Sequence, residues 1–296
     1  MPEYARHLQQ WMYSGSAYGF AGEIERPFRQ VIPTQAATVL GASGGRGLDR
    51  VDKYKLEGVV SFDAAYVEVG GSFDECHNRH TSYASSTIEN LNILNVVTAD
   101  RVVSRIAIYS PSATEDSREF TFNITGSHFE NLKIAGHKVD VKLATHIFHE
   151  HDTHSKIAKA HQSSKLDEWL VGGKLGKVSD RDLQEIENTY HALGGISRAV
   201  KAWKQKGEKR NTDLMAFSPM NHVKIEDHAG PNTELLGFGS IICIPKFGVV
   251  RLAELTACKH CVSLNMLKVD MCSTGTGSGG AGGTTGGGGT MPGGGG

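Results

Sequence analysis

The sequence predicts a mainly β fold: an antiparallel β-sandwich or barrel-like core with an α-helical insertion at about residues 152–207 and a glycine-rich C-terminal tail. Three observations predict it. Alternation of apolar and polar residues dominates the first 148 residues and returns after residue 213, as expected of strands with one face in a core and one in water. Glycine, asparagine and Pro-Ser breakers fall between the alternating runs. The strand–helix alternation that a parallel sheet needs is absent from the first half.

The elements follow in order. GVVSFDAAYVEVGGSF (58–73) sets Val60, Phe62, Ala64 and Tyr66 against Ser61, Asp63, Ala65 and Val67. SYASSTIENLNILN (82–95) and VVTADRVVSRIAIYS (96–110) read as neighbouring strands joined near Asn95. REFTFNITGS (118–127) and KVDVKLATHIF (138–148) alternate again. In the latter, Val139, Val141, Leu143 and Ile147 face one way and Lys138, Asp140, Lys142 and His146 the other. Helical spacing takes over from 152, where Asp152 or Thr153 can cap a helix, and Leu183, Ile186, Tyr190 and Leu193 recur on one face further on. That apolar stripe is thin, so 152–207 reads as an insertion that packs on the β part. Strands resume over 240–271: one ending at Pro245, one at 248–256 and a hairpin partner at 262–271.

Residues 1–274 thus form one predicted domain, and 275–296 a tail in which fourteen of 22 residues are glycine. Composition alone makes that tail a flexible segment. The alternative is an extended segment that orders in an assembly, packing backbone against backbone where side chains would clash.

Bulk composition narrows the function. With 39% hydrophobic and 21% charged residues over 296, the chain buries a substantial core. A net charge of −1 gives no electrostatic reason to expect nucleic acid or an anionic membrane as partner, and does little to oppose self-association. No run of eighteen apolar residues occurs, so no membrane span is expected. The first residues carry no apolar signal segment, which makes the cytoplasm the default location.

Three motifs invite a chemical reading. Gly41-Ala42-Ser43-Gly44-Gly45-Arg46-Gly47 resembles the glycine fingerprint of short-chain dehydrogenases, but no helix and parallel strand follow and no Tyr-x-x-x-Lys exists. It reads as a loop joining two strands, and no cofactor is expected. THIFHEHDTHSKIAKAH (145–161) holds five of the chain's fourteen histidines. Its compact subset, His149, His151 and His154 with Asp152, is the candidate metal site, with zinc as the metal. The order is close to, but does not match, the His-x-His-x-Asp-His of metallo-β-lactamase-like hydrolases, and solvated histidines at a strand-to-helix junction are the preferred reading. In CKHC, Cys258 and Cys261 are a second zinc candidate, with Cys243 and Cys272 to complete it. Otherwise Lys259 and His260 form a hairpin turn and the cysteines face each other as thiols or a disulfide.

Val96-Val97-Thr98-Ala99-Asp100, Gly126-Ser127-His128-Phe129 and Asn131-Leu132-Lys133-Ile134-Ala135-Gly136 resemble turn and strand patterns of bacterial choice-of-anchor P-like β-rich domains. That resemblance spans about residues 35–145. It implies a β-sandwich in a secreted or surface component. The chain contains no H-E-x-x-H and no P-loop. The expectation is therefore a non-enzymatic structural protein that self-assembles as a homo-oligomer or polymer, fibres included. The alternative is a metal-binding protein or metal-dependent hydrolase using the histidines of 146–161.

Overall fold

The computed structural model describes residues 12–24, 30–111, 119–166, 214–217, 219–225, 235–238, 240–245, 247–271, 276–277 and 279–286. The chain runs through β1 (Ser14–Ile24), β2 (Gln30–Leu40), β3 (Gly45–Leu56), β4 (Val60–Asp74), β5 (Arg79–Ile93), β6 (Val97–Pro111), β7 (Thr121–Asn123), β8 (His128–Glu130), β9 (Lys133–Ile134) and β10 (His137–Leu143). Two short helices follow, α1 (Ile147–Glu150) and α2 (His154–Gln162). Then come β11 (Leu214–Phe217), β12 (Met220–Ile225), β13 (Leu236–Phe238), β14 (Ile241–Ile244), β15 (Gly248–Cys258), β16 (Cys261–Met271), β17 (Thr276–Gly277) and β18 (Gly279–Gly286).

The strands build two open antiparallel sheets. Sheet I has the order β13-β14-β15-β16-β18-β1-β2, with β11 beside β15 and β17 beside β16. Sheet II has the order β12-β10-β9-β6-β5-β4-β3, with β7 and β8 beside β6. The predicted β-sandwich is what forms, and neither sheet closes into a barrel. One apolar core joins both sheets, with Phe20 and Leu264 from sheet I among the same buried residues as Phe62, Ile88 and Ile106 from sheet II. The glycine-rich run is the crossing between the sheets. Gly44 N donates to Gly41 O, Tyr13 N donates to Ala42 O, and Gly44 sits at φ +82°, a conformation open to glycine. No helical turn follows; the strand β3 begins at Gly45.

The alternation read from the sequence holds only in halves. In β4, Val60, Phe62 and Ala64 point inward, and then Ala65, Val67 and Val69 do. Tyr66, expected among the inward set, is half-exposed instead. The same flip occurs in β5 between Ile88 and Leu91 and in β6 between Ala99 and Val102. The flips line up. Lys53, Asp63, Asn90, Asp100 and Asn131 stand in one transverse row, and Lys53, Asn90 and Asn131 take positive φ of 52°, 53° and 48°. Because every strand changes phase at the same row, the pairing register is unchanged across it. The amides of Asn90 and Asn131 donate to the carboxylates of Asp63 and Asp100 at 2.7 and 3.2 Å. Sheet I changes phase in the same way at a row through Gly19, Ala253 and Met266.

Two sequence expectations change here. The run 138–148 is not strand to its end: β10 stops at Leu143, and Ile147 and Phe148 are buried on the single turn of α1. The segment 279–286, expected as part of a flexible tail outside the 1–274 domain, is a strand inside sheet I. Its glycines leave the backbone free to pair on both edges where the two sheets close in. The helical insertion is seen as α2; its remainder from 167 lies outside the described residues.

Candidate functional site

The most distinctive local structure is the slot that β18 fills. Five of its eight residues are glycine. Gly283 pairs with Ala17 of β1 on one side and Leu264 of β16 on the other, and Gly282 pairs likewise with Tyr18 and Asn265. Sandwich sheets usually stand about 10 Å apart face to face. Here Cα atoms of β18 come within 8 Å of both β5 and β6. Small residues make the approach possible. A Cβ on Gly19 would lie 2.9 Å from Ala65 Cβ of the facing sheet. The buried hydroxyl of Ser86 donates to Tyr18 O at 2.8 Å, and that of Ser104 to Leu264 O at 3.4 Å. Serines of sheet II therefore fasten onto the backbone of the two strands that flank β18. On the other face, the Tyr18 hydroxyl donates to Asn265 Oδ1 at 2.6 Å, spanning the row in which Gly282 lies. Burial raises the Tyr18 pKa, so it stays a neutral donor. A strand with side chains at these rows meets the Tyr18–Asn265 bridge on one face and β5 and β6 on the other. In the sequence the signal is the match between the small residues of β5, Ser82, Ala84, Ser85 and Ser86, and the glycine tail far downstream.

The histidine stretch is divided between two short helices and the turn that joins them. His149 is exposed on α1, His151 is the residue that ends that helix, and His154 is the first residue of α2. The Asp152 carboxylate is engaged by Lys156 Nζ at 2.6 Å, and its carbonyl accepts from Phe122 N. Thr153 is the helix cap, its side chain accepting from Lys156 N. Glu119 completes the junction by accepting from Ser155 N and Oγ at 2.8 and 2.6 Å. Burial pushes the Glu119 pKa up, but the Ser155 bonds outweigh it and the net shift is downward. His161 is buried on α2, whose inward face also carries Ile157 and Ala160. Among the described residues, no group of three or more His, Cys, Asp or Glu side chains is placed to hold a metal ion.

Cys258 and Cys261 are joined as a disulfide across the turn Lys259-His260, with Cα atoms 5.1 Å apart. The hairpin reading of CKHC is the one the backbone adopts. The link sits at the end of the slot, since Cys261 pairs with Gly286 and Cys258 with Leu214. Cys243 is a buried thiol in β14, and Cys272 lies outside the described residues.

The outer face of sheet II carries a polar network. Arg46 and the Tyr83 hydroxyl both bond Glu68. The Tyr83 bond lowers the Glu68 pKa, burial opposes it and Arg46 adds to the lowering. Arg50 bonds Asp52 and stacks over the Tyr66 ring at 4.9 Å. Beside these side chains lies a depression of about 590 Å³, open to solvent. Arg101 bridges Glu89 and Glu130, but these groups are well exposed, so the pairs contribute little stability. Among the described residues no helix is long and apolar enough to cross a membrane.

A family model described as a domain of unknown function (DUF8256) matches residues 11–258. No curated protein and no solved structure matches the chain.

Proposed function

We propose that this chain, which belongs to the family described as a domain of unknown function (DUF8256), is a non-enzymatic structural protein that self-assembles through its β-sandwich. One observation carries the reading. Segment 279–286 enters sheet I by backbone pairing on both of its edges, with little side chain of its own. A sheet that accepts a segment in this way recognises main chain, the chemistry by which strands are added between subunits. The rest of the molecule suits a building block. Its two sheets share one core and are fastened to each other by Ser86 and Ser104. The Cys258–Cys261 disulfide fits an oxidising setting and so supports the surface or extracellular location implied by the resemblance to choice-of-anchor P-like domains.

The test is the assembly state of the untagged full chain across a wide concentration range, by light scattering after size exclusion and by negative-stain microscopy. Concentration-dependent oligomers or fibres are expected. A strict monomer at the highest concentration overturns the reading.

A further inference from the structure

We propose that the slot between β1 and β16 is an interaction surface for a second copy of this chain, and that the part it takes from that copy is the glycine strand 279–286. The inference rests on the self-assembling reading and names the element exchanged.

Three features of the molecule carry it. First, β18 lies in the middle of sheet I with a ladder on each edge, and five of its eight residues are glycine. Glycine loses more conformational freedom on ordering than any other residue and buries almost no apolar surface. An interior strand held this way belongs to the weakly stable end of its fold and opens more readily than its neighbours. Second, the neighbours are the opposite. The inward residues Val262, Leu264, Leu267 and Val269 of β16 are fully buried, and Ser86 and Ser104 hold β1 and β16 from the facing sheet. When β18 leaves, it uncovers two fixed rows of backbone donors and acceptors, a template for another strand. The close approach of β5 and β6, with the Tyr18–Asn265 bridge, selects a strand nearly without side chains. The chain carries that strand itself, so a second copy is the fitting occupant.

Third, the edges on the β2–β3 side of the sandwich are guarded against simple edge pairing. β2 contains Pro33, and its Ala37 N–H is taken by the Asp49 carboxylate at 2.8 Å. β3 carries six charged residues in twelve. Strand exchange gives a route to assembly that these protected edges leave open.

The test traps the strand in a neighbour. Thr284 pairs with Ser263 on one side and Ser16 on the other. In an antiparallel sheet one of those two pairs is the closer, non-hydrogen-bonded kind, suited to a disulfide. In a full chain with Cys76 and Cys272 changed to serine, Thr284→Cys is combined with Ser263→Cys or Ser16→Cys. The combination that oxidises within one chain at low concentration identifies the reporting pair. The two substitutions are then placed on separate chains, mixed at assembling concentration and oxidised. The expected result is a covalent dimer containing one of each chain, rising several-fold with total concentration and absent from either variant alone. Oligomers that form without that cross-link overturn this inference and leave the proposed function standing. Absence of any oligomer overturns both.

Discussion

The Tyr18 hydroxyl and the Asn265 amide oxygen meet at 2.6 Å across the row that contains Gly282, although the two residues are 247 positions apart. The pair works as a clasp over the glycine strand on the outer face of sheet I. Tyr18→Phe removes the donor and keeps the ring, so the loss is about 0.5–1.5 kcal/mol, the usual net worth of an intramolecular hydrogen bond. Urea denaturation measures it as a lower midpoint with unchanged slope. A midpoint that does not move shows the clasp to be idle.

On the inner face, Ser86 separates two effects. Ser86→Ala loses the bond to Tyr18 O and is expected to cost about 1 kcal/mol. Ser86→Leu adds volume where β5 faces the glycine strand, and overpacking of this kind costs about 1–3 kcal/mol or more. The order parent, then alanine, then leucine in urea midpoint is the expected outcome. A leucine variant as stable as alanine would show that the sheets are not held as close as the Ser86–Tyr18 bond requires.

The transverse row of sheet II makes a third prediction. Asn90 sits at φ +53°, a conformation that asparagine tolerates better than most residues. Asn90→Val brings a β-branched side chain to that backbone and also removes the bond to Asp63, for an expected loss of roughly 1–3 kcal/mol. Asn90→Gly relieves the backbone and costs less. Valine and glycine variants of equal stability would mean that the phase change does not depend on this residue.

These cases show what the amino-acid sequence makes legible. Strand alternation and breakers are local, so β4, β5, β6, β15 and β16 are readable from runs such as GVVSFDAAYVEVGGSF and VVTADRVVSRIAIYS. The flip at Asn90 was not, because it needs four neighbouring strands to shift phase at one row, and Ala64-Ala65 carries no polarity to mark it. The order of the glycine segment 279–286 is hidden from its composition for a related reason. Composition reports that a segment buries little, while its order comes from Ala17, Leu264 and the serines opposite, all far away in the chain. For the histidines, proximity in sequence suggested a cluster. A helix end and a new helix start between His149 and His154 separate them.

Two groups give two successive acid-side steps to a fourth prediction, on pH. Burial lowers the His80 pKa from 6.5. Below about pH 6.5 the unfolded chain takes up a proton that the folded His80 resists, so stability falls from there until the lower folded value is passed. Glu119 has a folded pKa below 4.5, so its contribution is present above that pH and is lost as pH falls through the folded value. The expected profile is a first decline below about pH 6.5 and a second below about pH 4.5. His80→Gln removes the first part and Glu119→Gln reduces the second, to which Glu68 also contributes, read as differences from the parent in urea midpoints at each pH. A parent profile with no step that either variant flattens counts against both assignments.

The disulfide gives the last prediction, and it also decides between two chemistries for one pair of cysteines. Cys258 and Cys261 close a loop only three positions in separation, so the chain-entropy gain is at the small end, about 2 kcal/mol. Its importance is positional. Cys261 pairs with the last residue of β18 and Cys258 with the first of β11, so the link pins the hairpin end that both strands lean on. Dithiothreitol is therefore expected to lower the urea midpoint, and a Cys258→Ser/Cys261→Ser variant to show the lowered value with or without reductant. EDTA is expected to change neither. If instead EDTA lowers the midpoint of the parent and metal analysis finds zinc bound, the two sulfurs are ligands rather than a covalent staple.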